Sequence, residues 1–248
     1  MASTTTTTTS TSTTATETVA IHTFPETGRG LQAQLDIKED AIILSAKWEA
    51  VWSVEAALNE PVLGDILKQN KLSVDDTLAL FLLFVKLSPK CSRDQHDQRR
   101  VHVKSGIPES YTASCFFTDE DLEIAQGSSL YNLTIHSQSQ SKTTSEFTLD
   151  EYKWALFTVW SRAMDFNVSA ETSLRGVVPF LDMVNHSFDV KQCHAYDPTE
   201  KAVKILAGKS YKKGDEVFIN YGPVSNTKLL RLYGFVVPGN PYNAFELV

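Results

Sequence analysis

The sequence predicts an α+β fold in which short antiparallel β-structure at both ends of the chain flanks a helical insertion. Three observations support this prediction: strand-like alternation over residues 19–45, a repeat near 3.6 residues over about 53–165, and a return of strand-like patterns after residue 176. Because strands and helices are segregated along the chain instead of alternating, a doubly wound parallel sheet is not expected.

The composition limits the function classes. A chain of 248 residues with 42% hydrophobic residues can bury a substantial core. The formal net charge of -7 provides no basic surface for a phosphate backbone, so nucleic-acid binding is not expected. Cys91, Cys115 and Cys193 lie far apart, which disfavours a structural zinc site and a disulfide framework. This cysteine usage indicates a reducing compartment and therefore an intracellular protein, cytoplasmic or nuclear.

The N-terminal segment, residues 1–18, is rich in threonine and is predicted to be a disordered tail that precedes a domain over residues 19–248. It has no apolar stretch and no Lys or Arg, so it resembles neither a secretory signal nor a transit peptide. The apolar run "LALFLLFVKL" is too short to span a bilayer and contains Lys86, which predicts a core helix and no membrane association.

Strand, turn and strand patterns open the domain. "VAIHTF" and "LQAQLDI" alternate in the manner of strands, and "PETGRG" between them is typical of a hairpin turn. The Gly-x-Gly spacing of Gly28 and Gly30 also occurs in nucleotide-binding loops. In a Rossmann site, however, the glycine turn leads into a helix, whereas here a strand follows, so that class of site is disfavoured.

Capping sequences mark three helices in the insertion. In each, a Ser or Thr is followed three residues later by an acidic residue and then by an apolar repeat. These pairs are Ser73 with Asp76, Thr118 with Asp121 and Thr148 with Glu151, which predict the helices "DDTLALFLLFVKL", "DEDLEIAQ" ending at Gly127, and "LDEYKWALFTVWSRAM". The polar stretches at 90–100 and 136–146 are expected to be mobile surface loops.

The last third of the chain is predicted to contain the strands "GVVPFLDMV", "KAVKILA" and "EVFINY", followed by the short helix "SNTKLLRLYGF". The first strand turns abruptly polar at Asn185 and His186. A buried amide and imidazole need hydrogen-bond partners, which either the fold or a ligand supplies. His186, Cys193 and His194 suggest a metal site, but no fourth ligand has a suitable spacing, so no metal is expected.

Other candidate residues have equally plain structural explanations. Arg162, near the end of an apolar helix, either caps the helix dipole and extends to water or grips a carboxylate. Tyr233 and Phe235, twelve and fourteen residues after Tyr221, are typical of core aromatics when each is taken singly.

Four segments together resemble a known family. "TGRGL", the helix with "SRA", "VPFLDMVNHS" and "INYGPVSN…LYGF" occur in this order, around a helical insertion, in SET-domain protein methyltransferases of the subclass typified by the Rubisco large-subunit lysine methyltransferase. The resemblance covers residues 19–240. It implies a SET fold, in which the C-terminal segment passes through a loop in a knot-like crossing, and S-adenosylmethionine as cofactor.

The resemblance also implies residue roles. The turn with Gly28, Arg29 and Gly30 would approach the cofactor closely, and Arg162 would hold its carboxylate. Asn185 would bind its ammonium group, the His186 backbone would pair with its adenine, and Tyr233 or Phe235 would cover the adenine face. Tyr221 matches the catalytic tyrosine of the family and would also contact the cofactor.

The implied activity is methyl transfer to a lysine amine of a protein substrate by a monomeric enzyme. A lysine is almost wholly protonated at neutral pH, so the site must favour the neutral amine. Transfer to a histidine is an alternative activity within the family. A second alternative is a non-catalytic module that keeps the SET fold and binds a partner. Members of the subclass continue into a C-terminal helical domain that helps bind the protein substrate, and this sequence is expected to lack it.

Overall fold

A computed structural model of the chain describes residues 14–15, 18–89, 91, 98–126, 147–168 and 171–244. Three small sheets and six α-helices make up this part of the molecule. The strands are β1 Thr14–Ala15, β2 Val19–Phe24, β3 Gly28–Ala33, β4 Ile42–Lys47, β5 Trp52–Ser53, β6 Ala163–Asn167, β7 Ser173–Val177, β8 Asn185–His186, β9 His194–Asp197, β10 Ala202–Leu206 and β11 Glu216–Ile219.

The strands form three sheets with the orders β1-β4-β10-β9, β2-β3-β11-β8 and β5-β7-β6. All pairs are antiparallel except β8 with β11, which run parallel with Asn185 opposite Phe218 and His186 opposite Ile219. That pairing places the Asn185–His186 segment directly beside β11. The predicted α+β class with short, mainly antiparallel sheets is confirmed.

Five of the six α-helices lie between the N-terminal strands and β6. They are α1 Val54–Leu58, α2 Gly64–Gln69, α3 Val74–Leu87, α4 Asp119–Ala125 and α5 Leu149–Arg162, and α6 Asn226–Tyr233 follows β11. The predicted caps are confirmed: Ser73, Thr118 and Thr148 each accept a hydrogen bond from the backbone three residues on. A π-helical turn spans His102–Gly106, and 3-10 turns span Trp48–Ala50, Ser114–Phe116 and Leu181–Met183.

Three element boundaries were predicted wrongly. Gly28 and Gly30 lie inside strand β3, because the turn is confined to residues 25–27. The helix with "SRAM" ends at Arg162, since Ala163 and Met164 pair with β7 as part of β6. The run "GVVPFLDMV" is not one strand, because the chain leaves β7 after Val177 and forms a 3-10 turn.

Other predictions fall largely outside the described residues. Of the predicted tail, residues 14–15 form β1, which pairs with β4, and residues 1–13 and 16–17 are not described. The predicted loop at 136–146 and the predicted helix end at Gly127 also lie outside the described residues. Of the other predicted loop, residues 90 and 92–97 are not described. Residues 98–100 of that loop are helical.

Two apolar cores hold the fold. One is built by the sheets and contains Leu31, Ile43 and Ile219, and the other is built by α3 and α5 and contains Phe81. Trp52, on β5, is 1% exposed and joins the helical core to the third sheet. None of the described helices combines the length and the apolar character that a bilayer crossing requires. The site described next lies where the sheets, α5 and α6 meet.

Candidate functional site

A cleft of about 680 Å³ brings most of the predicted site residues together. Its walls come from the β2–β3 turn, the end of α5, the segment after the 3-10 turn, and α6 with the residues that follow. The predicted residues that line it are Arg29, Arg162, Asn185, His186, Tyr221, Tyr233 and Phe235. Gly28 and Gly30 flank Arg29 on β3 without lining the cleft themselves.

The side chain of Asn185 is held by the glycine strand and by Glu216. Its Nδ2 donates to Glu216 Oε1 at 2.8 Å and to the carbonyl oxygen of Arg29 at 3.3 Å. A Cβ on residue 30 would lie 2.6 Å from Glu216 Oε1 and 2.7 Å from Asn185 Nδ2, so a side chain at this position would displace the Glu216–Asn185 pair. The donor side of the amide is therefore satisfied by the fold, while Oδ1 accepts no hydrogen bond from the described residues.

His186 is buried and has one ring nitrogen without a partner among the described residues. Its Nδ1 accepts a hydrogen bond from the Tyr221 backbone N–H at 3.1 Å, which requires Nε2 to carry the proton. Nε2 is buried and unpaired. Burial lowers the pKa of His186, so the ring stays neutral and offers an unused N–H donor at neutral pH.

An aromatic cluster lines the cleft beside His186. The Tyr221 ring lies 4.8 Å from the Tyr233 ring and 5.0 Å from the imidazole, and Phe235 lies 6.1 Å from Tyr233. Helix α6 places Tyr233, and Gly234 then turns the chain with φ 81° as its C-cap, so that Phe235 faces the same cleft. These aromatics are not internal core residues but the lining of a cavity.

The Tyr221 hydroxyl already donates a hydrogen bond within the fold. It donates to the carbonyl oxygen of Val184 at 2.8 Å. Burial raises the pKa of Tyr221, so the side chain is a neutral phenol at physiological pH. A neutral phenol that already donates its proton can still accept a hydrogen bond through its oxygen lone pairs.

Arg162 is the last residue of α5, but it does not extend to water. Its side chain is 14% exposed, and Nη1 donates to the carboxylate of Asp182 at 2.9 Å and to the Asp182 backbone carbonyl at 3.0 Å. Burial alone would lower the pKa of Arg162, but Asp182 and Tyr111 raise it. The helix-cap explanation is thus insufficient, because the guanidinium group lies in a buried ion pair beside the cleft.

The sequence reasoning missed Asp182, His102 and Glu216 as members of this site. Asp182 has a fully buried side chain and also lies 3.1 Å from His102 Nε2. The signal for Asp182 was present, because a carboxylate within the apolar run "VPFLDMV" needs a partner inside the fold. Nothing near His102 or Glu216 in the sequence pointed to their partners.

A second, smaller cavity of about 190 Å³ adjoins the cleft. Five residues line both cavities: Ser161, Arg162, Asp182, Tyr221 and Tyr233. The rest of the smaller cavity includes the apolar side chains of Met164, Val184 and Ile219 and the polar ones of Gln192, His194 and Asn220. The two cavities therefore share a wall, and Tyr221 is one of the residues in it.

The described residues contain no group of three His, Cys, Asp or Glu side chains placed to hold a metal ion. His186 faces the aromatic cluster, whereas His194 packs against Phe166 at 5.8 Å. Cys193 forms no disulfide with Cys91 or Cys115.

Comparisons with known proteins agree with this geometry. A family model for the SET domain matches residues 28–222. SET domain-containing protein 4 of Mus musculus is 27% identical over 89% of this chain and 55% of its own length. The actin-histidine N-methyltransferase of Danio rerio is 24% identical over 92% of this chain and 41% of its own. This chain thus spans about half the length of these curated relatives, or less.

Solved structures share the fold. The SET domain of LSMT bound to lysine and AdoHcy has a TM-score of 0.74 at 23% identity, covering 91% of this chain and 54% of its own. Rubisco LSMT bound to AdoMet has a TM-score of 0.73 at 24% identity, covering 90% of this chain and 52% of its own. The predicted fold and family resemblance are both confirmed.

Proposed function

Because the chain belongs to the SET-domain family, we propose that it is a protein-lysine methyltransferase that uses S-adenosylmethionine. The observation that carries this proposal is that two adjoining cavities share a wall that includes Tyr221. A larger, polar and aromatic cleft suits a methyl donor, and a narrow, partly apolar cavity suits the acceptor side chain. One hydroxyl then lies where the two reactants meet.

The larger cleft fits S-adenosylmethionine by the chemistry of its unpaired groups. Asn185 Oδ1 is an unused acceptor for an ammonium group, and Arg162 is a buried cation suited to a carboxylate. The His186 backbone is the proposed partner for adenine. The rings of Tyr221, Tyr233 and Phe235 would offer favourable faces to a cationic sulfonium and to the adenine. When bound, this cofactor supplies a methyl group activated by positive sulfur.

The smaller cavity suits the long stem of a lysine. Met164, Val184 and Ile219 can contact its methylene groups and exclude water from its amine. Removing water disfavours the charged ammonium and lowers its pKa, which favours the neutral nucleophile. The oxygen of Tyr221 can accept an N–H of that amine and direct its lone pair. Since the phenol is neutral, its role is positioning and not proton removal.

The acceptor is proposed to belong to a protein, in an intracellular compartment. None of the three cysteines, Cys91, Cys115 and Cys193, forms a disulfide with another, which supports a reducing compartment. The named activities of the relatives support a protein acceptor, because actin is the named substrate of the histidine methyltransferases. That name also makes histidine the second candidate acceptor for this chain, whereas the lysine bound in the LSMT SET domain supports the first.

Methyl transfer from labelled S-adenosylmethionine to hypomethylated cell extract, with mass spectrometry of the labelled protein, tests the activity and identifies the residue. Single-turnover rates against pH then separate the two acceptors, because only the neutral form of either acceptor attacks. A lysine has a pKa near 10 in solution, and even when the cavity lowers it the rates should still rise above about pH 7.5. A histidine with a pKa of about 6.5 would give rates that level off above about pH 7.5. Label on neither residue type would contradict the proposed function.

The first variant to test is Asn185→Ala, which removes the proposed ammonium acceptor. We expect the affinity for S-adenosylmethionine to fall by about 1.5–3 kcal/mol, the usual range for a hydrogen bond to a charged group. Calorimetry on the folded protein measures this change. Asn70→Ala is the matched control, because Asn70 is exposed and its side chain bonds only to the carbonyl oxygen of Ile66 in the adjoining helix α2. Equal affinity in Asn185→Ala and the parent would remove Asn185 from the cofactor site.

A further inference from the structure

The π-helical turn His102–Gly106 lies behind the cleft and contacts both of its arginines, directly or through one residue. Single π-turns are uncommon and often occur at functional sites. The family comparison does not explain this turn, and none of the predicted site residues lies in it.

His102 is 6% exposed and uses both ring nitrogens. Trp52 Nε1, which can only donate, lies 3.1 Å from His102 Nδ1, so Nδ1 is the acceptor. The ring proton must then be on Nε2, which lies 3.1 Å from Asp182 Oδ2. A tryptophan in the helical core thus fixes the histidine tautomer that donates to Asp182.

Asp182 connects His102 to Arg162, because its carboxylate is hydrogen-bonded to both side chains. The same oxygen, Oδ2, accepts from His102 Nε2 and from Arg162 Nη1, and the side chain of Asp182 is fully buried. His102 therefore restricts the carboxylate to the rotamer that pairs with Arg162. Since Arg162 lines both cavities, a change at His102 should reach them through Asp182.

The other end of the turn holds Arg29. Arg29 Nη1 donates to the carbonyl oxygen of Ser105 at 2.7 Å, and Nη2 donates to the carbonyl oxygen of Gly106. The turn can close in this way because residue 106 is glycine: a Cβ there would lie 2.5 Å from Cδ2 of His102. The same five residues thus fix a guanidinium group from β3 and another from α5.

We propose that the π-helical turn His102–Gly106 is the element that presents Arg29 and Arg162 together to the carboxylate of the cofactor, with His102 as a positioning residue that acts through Asp182. This inference rests on the proposed function, because it assumes S-adenosylmethionine in the larger cleft. The carbonyl groups of the turn and the carboxylate of Asp182 offset the repulsion between two cations that line one cavity. The two guanidinium groups are thus already positioned to bind a carboxylate before the cofactor enters the cleft.

The test compares two ligands that differ in one carboxylate: S-adenosylmethionine and its decarboxylated form. For His102→Leu, which removes the donor to Asp182, we expect the Kd of S-adenosylmethionine to rise about tenfold. The Kd of the decarboxylated ligand should stay within about twofold of the parent value, because it has no group for the two arginines to bind. Equal weakening of both ligands, or no weakening of either, would overturn the inference.

Three further measurements separate positioning from folding. His102→Gln places an amide N–H near the position of Nε2, so it should recover most of the affinity that His102→Leu loses. His22→Leu is the control, because His22 is exposed on β2, and both affinities should be unchanged. Imidazole ¹⁵N resonances of the unliganded parent protein should show His102 protonated on Nε2. The opposite tautomer would overturn the inference even if every variant failed to fold.

The outcomes also distinguish this inference from the function on which it rests. A parent protein that binds neither ligand would contradict the proposed function and the inference with it. A parent protein that binds both ligands, with variants that lose affinity for both equally, would contradict the inference alone.

Discussion

Replacing Tyr221 with Phe should lower kcat by about 10²–10³-fold, the usual effect of removing one preorganised polar group at a reacting centre. The ring would remain beside Tyr233 and His186, so the affinity for S-adenosylmethionine should stay within a few-fold. The hydroxyl is fixed by its hydrogen bond to Val184, and only its oxygen is available to the acceptor amine. An interaction made mainly in the transition state appears in kcat and not in ground-state affinity.

Tyr242→Phe is the matched control, because Tyr242 is 48% exposed and its hydroxyl makes no hydrogen bond within the described part of the chain. Turnover should be unchanged in that variant. Steady-state methylation, with cofactor Kd from calorimetry, separates the two effects. Undiminished turnover in Tyr221→Phe would contradict the catalytic assignment.

The pH profile of the parent adds a second check on Tyr221. Burial raises its pKa above the ordinary value, so the phenol does not titrate between about pH 6 and 9. A rise in rate over that range must therefore come from another group, of which the acceptor is the foremost. The profile of Tyr221→Phe should have the same shape as that of the parent at a lower rate.

Local signals in the sequence predicted much of the fold. Each capping pair, such as Thr148 with Glu151, consists of residues only three apart in the sequence. The hydrogen bond that caps the helix can therefore be predicted from a short segment alone. The polar pair Asn185 and His186 was equally visible, because it ends an apolar run. The family resemblance then grouped these segments into one site, and seven of its residues line a single cleft.

The supporting contacts could not be predicted in this way, because their partners are distant in sequence. Glu216 is 31 residues from Asn185, and His102 is 80 residues from Asp182. No local pattern distinguishes the buried His102 from exposed His22, since burial is decided by packing across the whole domain. Only the assembled core shows that Trp52 selects the tautomer of His102.

The misplaced strand has a similar cause. The run "GVVPFLDMV" is apolar enough to be read as one buried strand, but periodicity does not reveal a backbone reversal within it. Phe180 adopts φ 73°, a conformation that is rare for a side chain of this size, and a 3-10 turn follows. That turn contains Asp182, so the departure from strand geometry is what places the carboxylate between His102 and Arg162.

Replacing Asp182 with Ala should have the largest effect on stability, about 3–5 kcal/mol in the free energy of unfolding. The substitution would leave the guanidinium group of Arg162 buried without its counter-ion, and the Nε2–H of His102 without an acceptor. Asp189→Ala is the control, because Asp189 is exposed and its carboxylate has no partner among the described residues. Urea unfolding should place that variant within about 0.5 kcal/mol of the parent.

Asp182→Asn tests the charge itself, since it keeps the shape and one acceptor oxygen. Burial would raise the pKa of Asp182, but His102 and Arg162 outweigh it, so the folded-state pKa lies below the ordinary value. The stabilisation from the charge is then fully present above about pH 4 and is lost as pH falls below that value, toward the folded-state pKa. The difference in unfolding free energy between the parent and Asp182→Asn should therefore be constant from about pH 6 to 8 and shrink at lower pH. A difference that grows as the pH falls would mean that the buried carboxyl is neutral in the native protein, and the ion pair with Arg162 would have to be rejected.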